Sequence, residues 1–134
     1  MSILDGVQKI FEEKDVYYFR GRNTEDNLLY VPYQGIEDKN NHVDIYLEIF
    51  EDLKVIRFTF IEKISHRRDE VESVLLNLNA DLNFGSLSLR SETDLVEYRI
   101  DYQLGEDAFS YEQYKKFIIC CISIYEKLKS EYII

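Results

Sequence analysis

Between Val96 and Leu104 the chain alternates almost without interruption. Val96, Tyr98, Ile100, Tyr102 and Leu104 fall on one side of an extended segment, and Glu97, Arg99, Asp101 and Gln103 on the other. This period of two is the signature of a half-buried β-strand. Just upstream, Val71, Val74, Leu75, Leu78 and Leu82 recur at helical spacing and share one face. Asn83-Phe84-Gly85 supplies the turn, and a first strand leads into the alternating one. A helix followed by a hairpin is therefore the least free part of the chain. All of these signals specify packing and none specifies catalysis.

The remaining elements follow from the same reasoning. Ser2 to Lys14 reads as a helix with Ser2 as its cap, Asp5 in the capping-box position, and an apolar stripe of Ile3, Leu4, Val7, Ile10 and Phe11. Val16 to Arg20 is aromatic and β-branched, hence a strand. Gly21 to Asn27 is a turn, and Leu28 to Tyr33 a second strand. Pro32 lacks an N–H, so it makes this strand an edge or ends it. Val43 to Phe50 and Leu53 to Ile61 form a hairpin about Glu51-Asp52. Ser65 is a candidate cap for a helix from Arg67 to Leu82, whose first turns carry Asp69, Glu70 and Glu72. Ser110 opens the last helix, with Gln113 in the capping-box position and Lys127 and Lys129 near its far end. From Phe117 to Tyr125 that helix is apolar nearly all round, so it is expected to be buried on more than one side. The expected order is helix, strand pair, strand pair, helix, strand pair, helix, in a single domain spanning residues 1–134.

Bulk properties exclude several classes of function. No run approaches ~18 apolar residues, so no membrane-spanning helix is expected. The first residues carry Asp5, Glu12 and Glu13 rather than the basic start and unbroken apolar run of a secretory signal, which points to a cytoplasmic protein. A net charge of −10 argues against nucleic acid, because phosphate binding needs a basic patch. The only basic cluster, His66-Arg67-Arg68, is followed at once by Asp69, Glu70 and Glu72. The same acidity would repel an anionic membrane and favours a basic or neutral protein partner.

A search for chemistry is negative. His42 and His66 lie near no strained G-x-S-x-G turn, and Cys121 sits in an apolar helix without a basic neighbour. Cys120 and Cys121 are adjacent, badly placed for a mutual disulfide, and no second pair completes a zinc site. The carboxylate pairs Glu12-Glu13, Glu37-Asp38, Glu51-Asp52 and Glu106-Asp107 all fall at turns or element ends, as solvated residues do. No calcium-loop spacing, no H-x-x-x-H and no glycine-rich phosphate cradle occurs. The expectation is therefore a non-enzymatic protein with no cofactor and no metal.

Eleven tyrosines and no tryptophan shift attention to contact surfaces, since most of the tyrosines fall on expected strands. Tyr33, Tyr46 and Phe50 are candidates for an exposed, partner-binding sheet face. Ile119, Cys120 and Ile122 lie away from Phe117, Cys121, Ile124 and Leu128 on the last helix, and are candidates for a homodimer interface.

The helix–hairpin unit resembles the YbjN family. The resemblance rests on Leu76-Asn77-Leu78-Asn79, on Phe84-Gly85 with Leu87 and Leu89, on the strand around Val96-Glu97-Tyr98-Arg99, and on the long apolar last helix. It is clearest from about Glu70 to Tyr125, and the earlier elements agree in order. It implies an α+β fold: an antiparallel sheet with helices in the order α-β-β-β-α-β-β-α, similar to type III secretion chaperones. Members are described as sensory transduction regulators without an established activity, so no catalytic residue is carried over. The tyrosine-rich strands and the paired cysteines depart from the family pattern. The resemblance implies a small cytoplasmic protein that binds a segment of a partner protein, as a regulator or chaperone-like adaptor. Two other readings fit the composition: an acidic immunity or inhibitor protein covering a basic partner, and a small-molecule sensor.

Overall fold

A computed structural model describes residues 2–21, 27–90 and 92–134. Its elements are α1 (Ile3–Glu13), β1 (Phe19–Arg20), β2 (Leu28–Gln34), β3 (His42–Phe50), β4 (Val55–Lys63), α2 (Arg68–Asp81), β5 (Ser86–Leu89), β6 (Leu95–Gln103) and α3 (Tyr111–Ser130). The strands form one antiparallel sheet in the order β1-β2-β3-β4-β6-β5. The architecture is α+β, in the order helix, strand pair, strand pair, helix, strand pair, helix; relative to the α-β-β-β-α-β-β-α order that the resemblance implies, the short β1 after α1 is an additional strand.

One face of the sheet makes the core. Leu29, Val31, Ile45, Leu47, Ile56, Phe58, Phe60 and Val96 are buried there, each next to an outward-facing neighbour. The helices close over this face. Phe11 of α1 meets Tyr114 of α3 at 4.9 Å between ring centres, and Phe58 of β4 meets Phe117 of α3 at 5.2 Å. The helix starts are secured locally. Ser2 accepts the Asp5 N–H, and Ser110 with Gln113 forms a reciprocal capping box. Glu51 does more than sit in a solvated turn: its carboxylate accepts the N–H groups of Ile3 (3.0 Å) and Leu4 (2.9 Å), so the β3–β4 turn caps α1.

Several boundaries differ from the sequence reading. The first strand begins at Phe19 rather than Val16, because the Val16 N–H is still bonded to the Phe11 carbonyl at the end of α1. Of the expected turn Gly21 to Asn27, residues 22–26 lie outside those described. The β3–β4 turn takes Leu53 and Lys54 as well, with Lys54 at φ 54°. Ser65 does not cap α2. Arg67 stands at that position without a side-chain cap bond, and the Ser65 hydroxyl donates instead to the Tyr132 carbonyl at 2.8 Å. The chain after α3 turns back through Tyr132, at φ 60°, and takes up that hydrogen bond.

Pro32 neither ends β2 nor disturbs it, and it pairs with Asp44 in mid-strand. The Gly21 N–H donates to the Leu28 carbonyl, so even-numbered residues of β2 turn their backbone toward the β1 side. β1 reaches only as far as Tyr30, so Pro32 sits on the open edge, where a missing N–H costs nothing.

Candidate functional site

The second face of the sheet carries no helix among the described residues. Alternation places Tyr30 on it from β2, then Tyr46 and Phe50 from β3, Arg57, Thr59 and Ile61 from β4, and Glu97, Arg99 and Asp101 from β6. Phe19, Tyr30 and Tyr46 form a cross-strand aromatic ladder, with ring centres 4.8 Å and 5.7 Å apart. The Phe19 and Tyr30 rings lie nearly parallel, 15° apart.

Beside the ladder lies a network of charges. Arg57 donates to both Asp101 oxygens (2.7 and 3.3 Å), lies 3.7 Å from Glu48 and covers the Phe50 ring at 4.9 Å. The bond to Asp101 raises the guanidinium pKa further above its ordinary value. Glu97 is only 8% exposed and lies between Arg90 (3.6 Å) and Arg99 (3.4 Å). Burial raises the Tyr46 pKa above its ordinary value. A depression of about 360 Å³, whose lining includes Tyr46, Arg57, Thr59, Ile61, Glu97 and Arg99, opens among these groups.

The structure separates the sequence candidates. Tyr46 and Phe50 lie on the open face. Tyr33 does not: odd-numbered β2 residues face the helices, and its hydroxyl is hydrogen-bonded to that of Tyr114, itself 1% exposed. Burial pushes the Tyr33 pKa up to about 12 and that of Tyr114 further in the same direction. On α3, Ile119 is 52% exposed and Cys120 half-buried, but Ile122 is in the core. The apolar stripe of α3 is wider than the spacing suggested, with Ile118 and Ile122 buried beside Cys121 and Tyr125. Ile119, Cys120 and Ile124 line a second depression of about 370 Å³ with Leu82, Phe84 and Tyr98, between α3 and the end of α2.

The Leu-Asn and Phe-Gly residues have a structural purpose. The Asn79 side chain donates to the Leu87 carbonyl (2.8 Å) and accepts the Leu87 N–H (2.7 Å), so it binds the outer edge of β5 as a neighbouring strand would. The Tyr98 hydroxyl donates to the Phe84 carbonyl at 2.7 Å. Gly85 has φ +76°, and a Cβ there would lie 2.6 Å from the Arg99 carbonyl oxygen, so only glycine fits this turn. The sequence marks Asn79 only as part of the Leu-Asn motif and Glu51 only as a turn residue, and neither role shown here is read from it. Their roles depend on partners 8 and 47–48 residues away.

Among the described residues, no group of three or more His, Cys, Asp or Glu is arranged to hold a metal ion. Burial raises both cysteine thiols above their ordinary pKa, most strongly at Cys121, which keeps them protonated. No helix among the described residues is long and apolar enough to cross a membrane.

By sequence, the chain matches no family profile and no curated protein. By structure, it is similar to YbjN, a proposed transcription regulator from E. coli, in its crystal structure. The TM-score is 0.66 and the identity 14%, over 97% of this chain and 93% of that one. The chain has a YbjN-like α+β fold.

Proposed function

We propose that the chain belongs to the YbjN family and is a non-enzymatic, protein-binding domain, acting as a cytoplasmic regulator or chaperone-like adaptor. The observation that carries this reading is a six-stranded sheet with one face uncovered by any described helix and rich in aromatic and arginine side chains. Such side chains dominate the binding energy of protein interfaces. Pairing of a partner strand is disfavoured at two places on the sheet margin: Pro32 removes a donor where β2 runs past β1, and Asn79 occupies the Leu87 backbone on the β5 edge. Contact across the face remains.

The test is capture of partners by the tagged protein from its native cytoplasm, with wild type and the open-face variant Arg57→Glu in parallel. The proposal expects a partner that resists salt and is lost from the variant. Equal recovery with both proteins would remove the open face from consideration. Turnover of a metabolite by the purified protein would overturn the non-enzymatic reading. The charges of the face are balanced, which does not favour an inhibitor steered onto a basic partner through this surface.

A further inference from the structure

We infer that the open sheet face is covered by a second copy of this chain, packed sheet against sheet. The inference rests on reading this face as a protein-binding surface and names its occupant. The first argument is charge. Two chains of net charge −10 repel one another, so they can meet only where the local charge is balanced. On the open face Arg57, Lys63, Arg90 and Arg99 are basic. Asp44, Glu48, Glu97 and Asp101 are acidic. Among the described residues the bases and acids of this face are equal in number, so it is locally balanced while the whole chain carries −10.

The second argument is self-complementarity. A two-fold interface sets one patch against itself, so any charges on it have to be of both signs to avoid like facing like, and here they are interleaved in rows across the strands. Arg57 pairs across the sheet with Asp101, and Glu48 with Arg57. The third is size. β3, β4 and β6 have nine residues each, β2 seven, β5 four and β1 two, which at a rise of about 3.3 Å per residue and about 4.8 Å between strands makes a face of roughly 600 Å². Stable interfaces start at about 600 Å² per partner. The Phe19–Tyr30–Tyr46 ladder supplies large aromatic side chains of the kind that fill the space between sheets packed about 10 Å apart.

The test is light scattering after size exclusion on the full chain, with circular dichroism to confirm folding. Wild type should run at twice the 16.0 kDa chain mass. Tyr46→Glu, and the second open-face variant Arg99→Glu in case the first does not fold, should halve it. Ile119→Glu, on the helix side, should leave the dimer intact. A monomeric wild type overturns the inference, as does a dimer that survives both open-face substitutions or dissolves with Ile119→Glu. If wild type is monomeric while Tyr46→Glu loses a captured cytoplasmic protein, the binding-surface reading stands and only the occupant is wrong. If it is monomeric and nothing is lost, both fall.

Discussion

The two faces of the sheet use the same residue types to opposite ends. On the helix side, tyrosine is a core residue whose hydroxyl must be matched: Tyr98 donates to Phe84, Tyr33 and Tyr114 bond each other, and Tyr102 accepts from Gln113 at 2.6 Å. On the open side, Tyr30 and Tyr46 are neighbours in a cross-strand ladder, and Tyr46 borders a depression lined with arginines and carboxylates. The difference shows that a tyrosine count says little until each ring is assigned to a face. Burial turns the hydroxyl into an obligation. Exposure leaves it free for a partner.

The sharpest way to break this contrast is to charge each face in turn. Ile122→Asp places an unpaired carboxylate in the core, and the expected result is loss of the cooperative unfolding transition and of near-ultraviolet circular dichroism. The equivalent insult to the open face, Tyr46→Glu, is expected to change the stability of the monomer by no more than ~1 kcal/mol, in urea titrations of both proteins at concentrations dilute enough to dissociate a dimer. A large loss there would mean that the open face is structural. Between these extremes lies Asn79→Ala, which strips two backbone partners from Leu87 and should cost about 1–3 kcal/mol. It should also expose the β5 edge, seen as increased aggregation in turbidity measurements.

A smaller effect, about 1–2 kcal/mol, is expected for Tyr33→Phe, which leaves the Tyr114 hydroxyl without its partner. The same residue predicts a pH dependence. Its pKa is raised from 10.0 to about 12, so the folded state holds the proton more tightly than the unfolded chain. The stability it contributes is complete below pH 10 and is lost as pH rises through about 12. Unfolding midpoints measured between these limits should fall less steeply for Tyr33→Phe than for wild type. Equal slopes would place Tyr33 in solvent.

Much of the architecture was legible because it rests on local periodicity. The alternation from Val96 to Leu104, the Ser2 cap and the Ser110–Gln113 box depend on residues within a few positions of one another. The candidate site was legible only in part. Tyr46 and Tyr33 look equivalent on their own strands, and the sheet parity of each follows from pairing between β2 and β3. Ile122 failed for a related reason. A helix whose middle is apolar all round offers no polar stripe to mark its exposed side, so packing against the sheet decided it.

By itself, the sequence determined the elements, the alternation that gives the sheet one apolar face, and the net acidity. Spacing and charge are local or additive properties of a chain. Only the tertiary structure decided that Glu51 caps a helix 47 residues away, that Asn79 closes a sheet edge, and that, among the described residues, four bases and four acids share one sheet face. Each of these depends on which strands lie side by side, and strand order is set by the burial of the whole core rather than by any single segment.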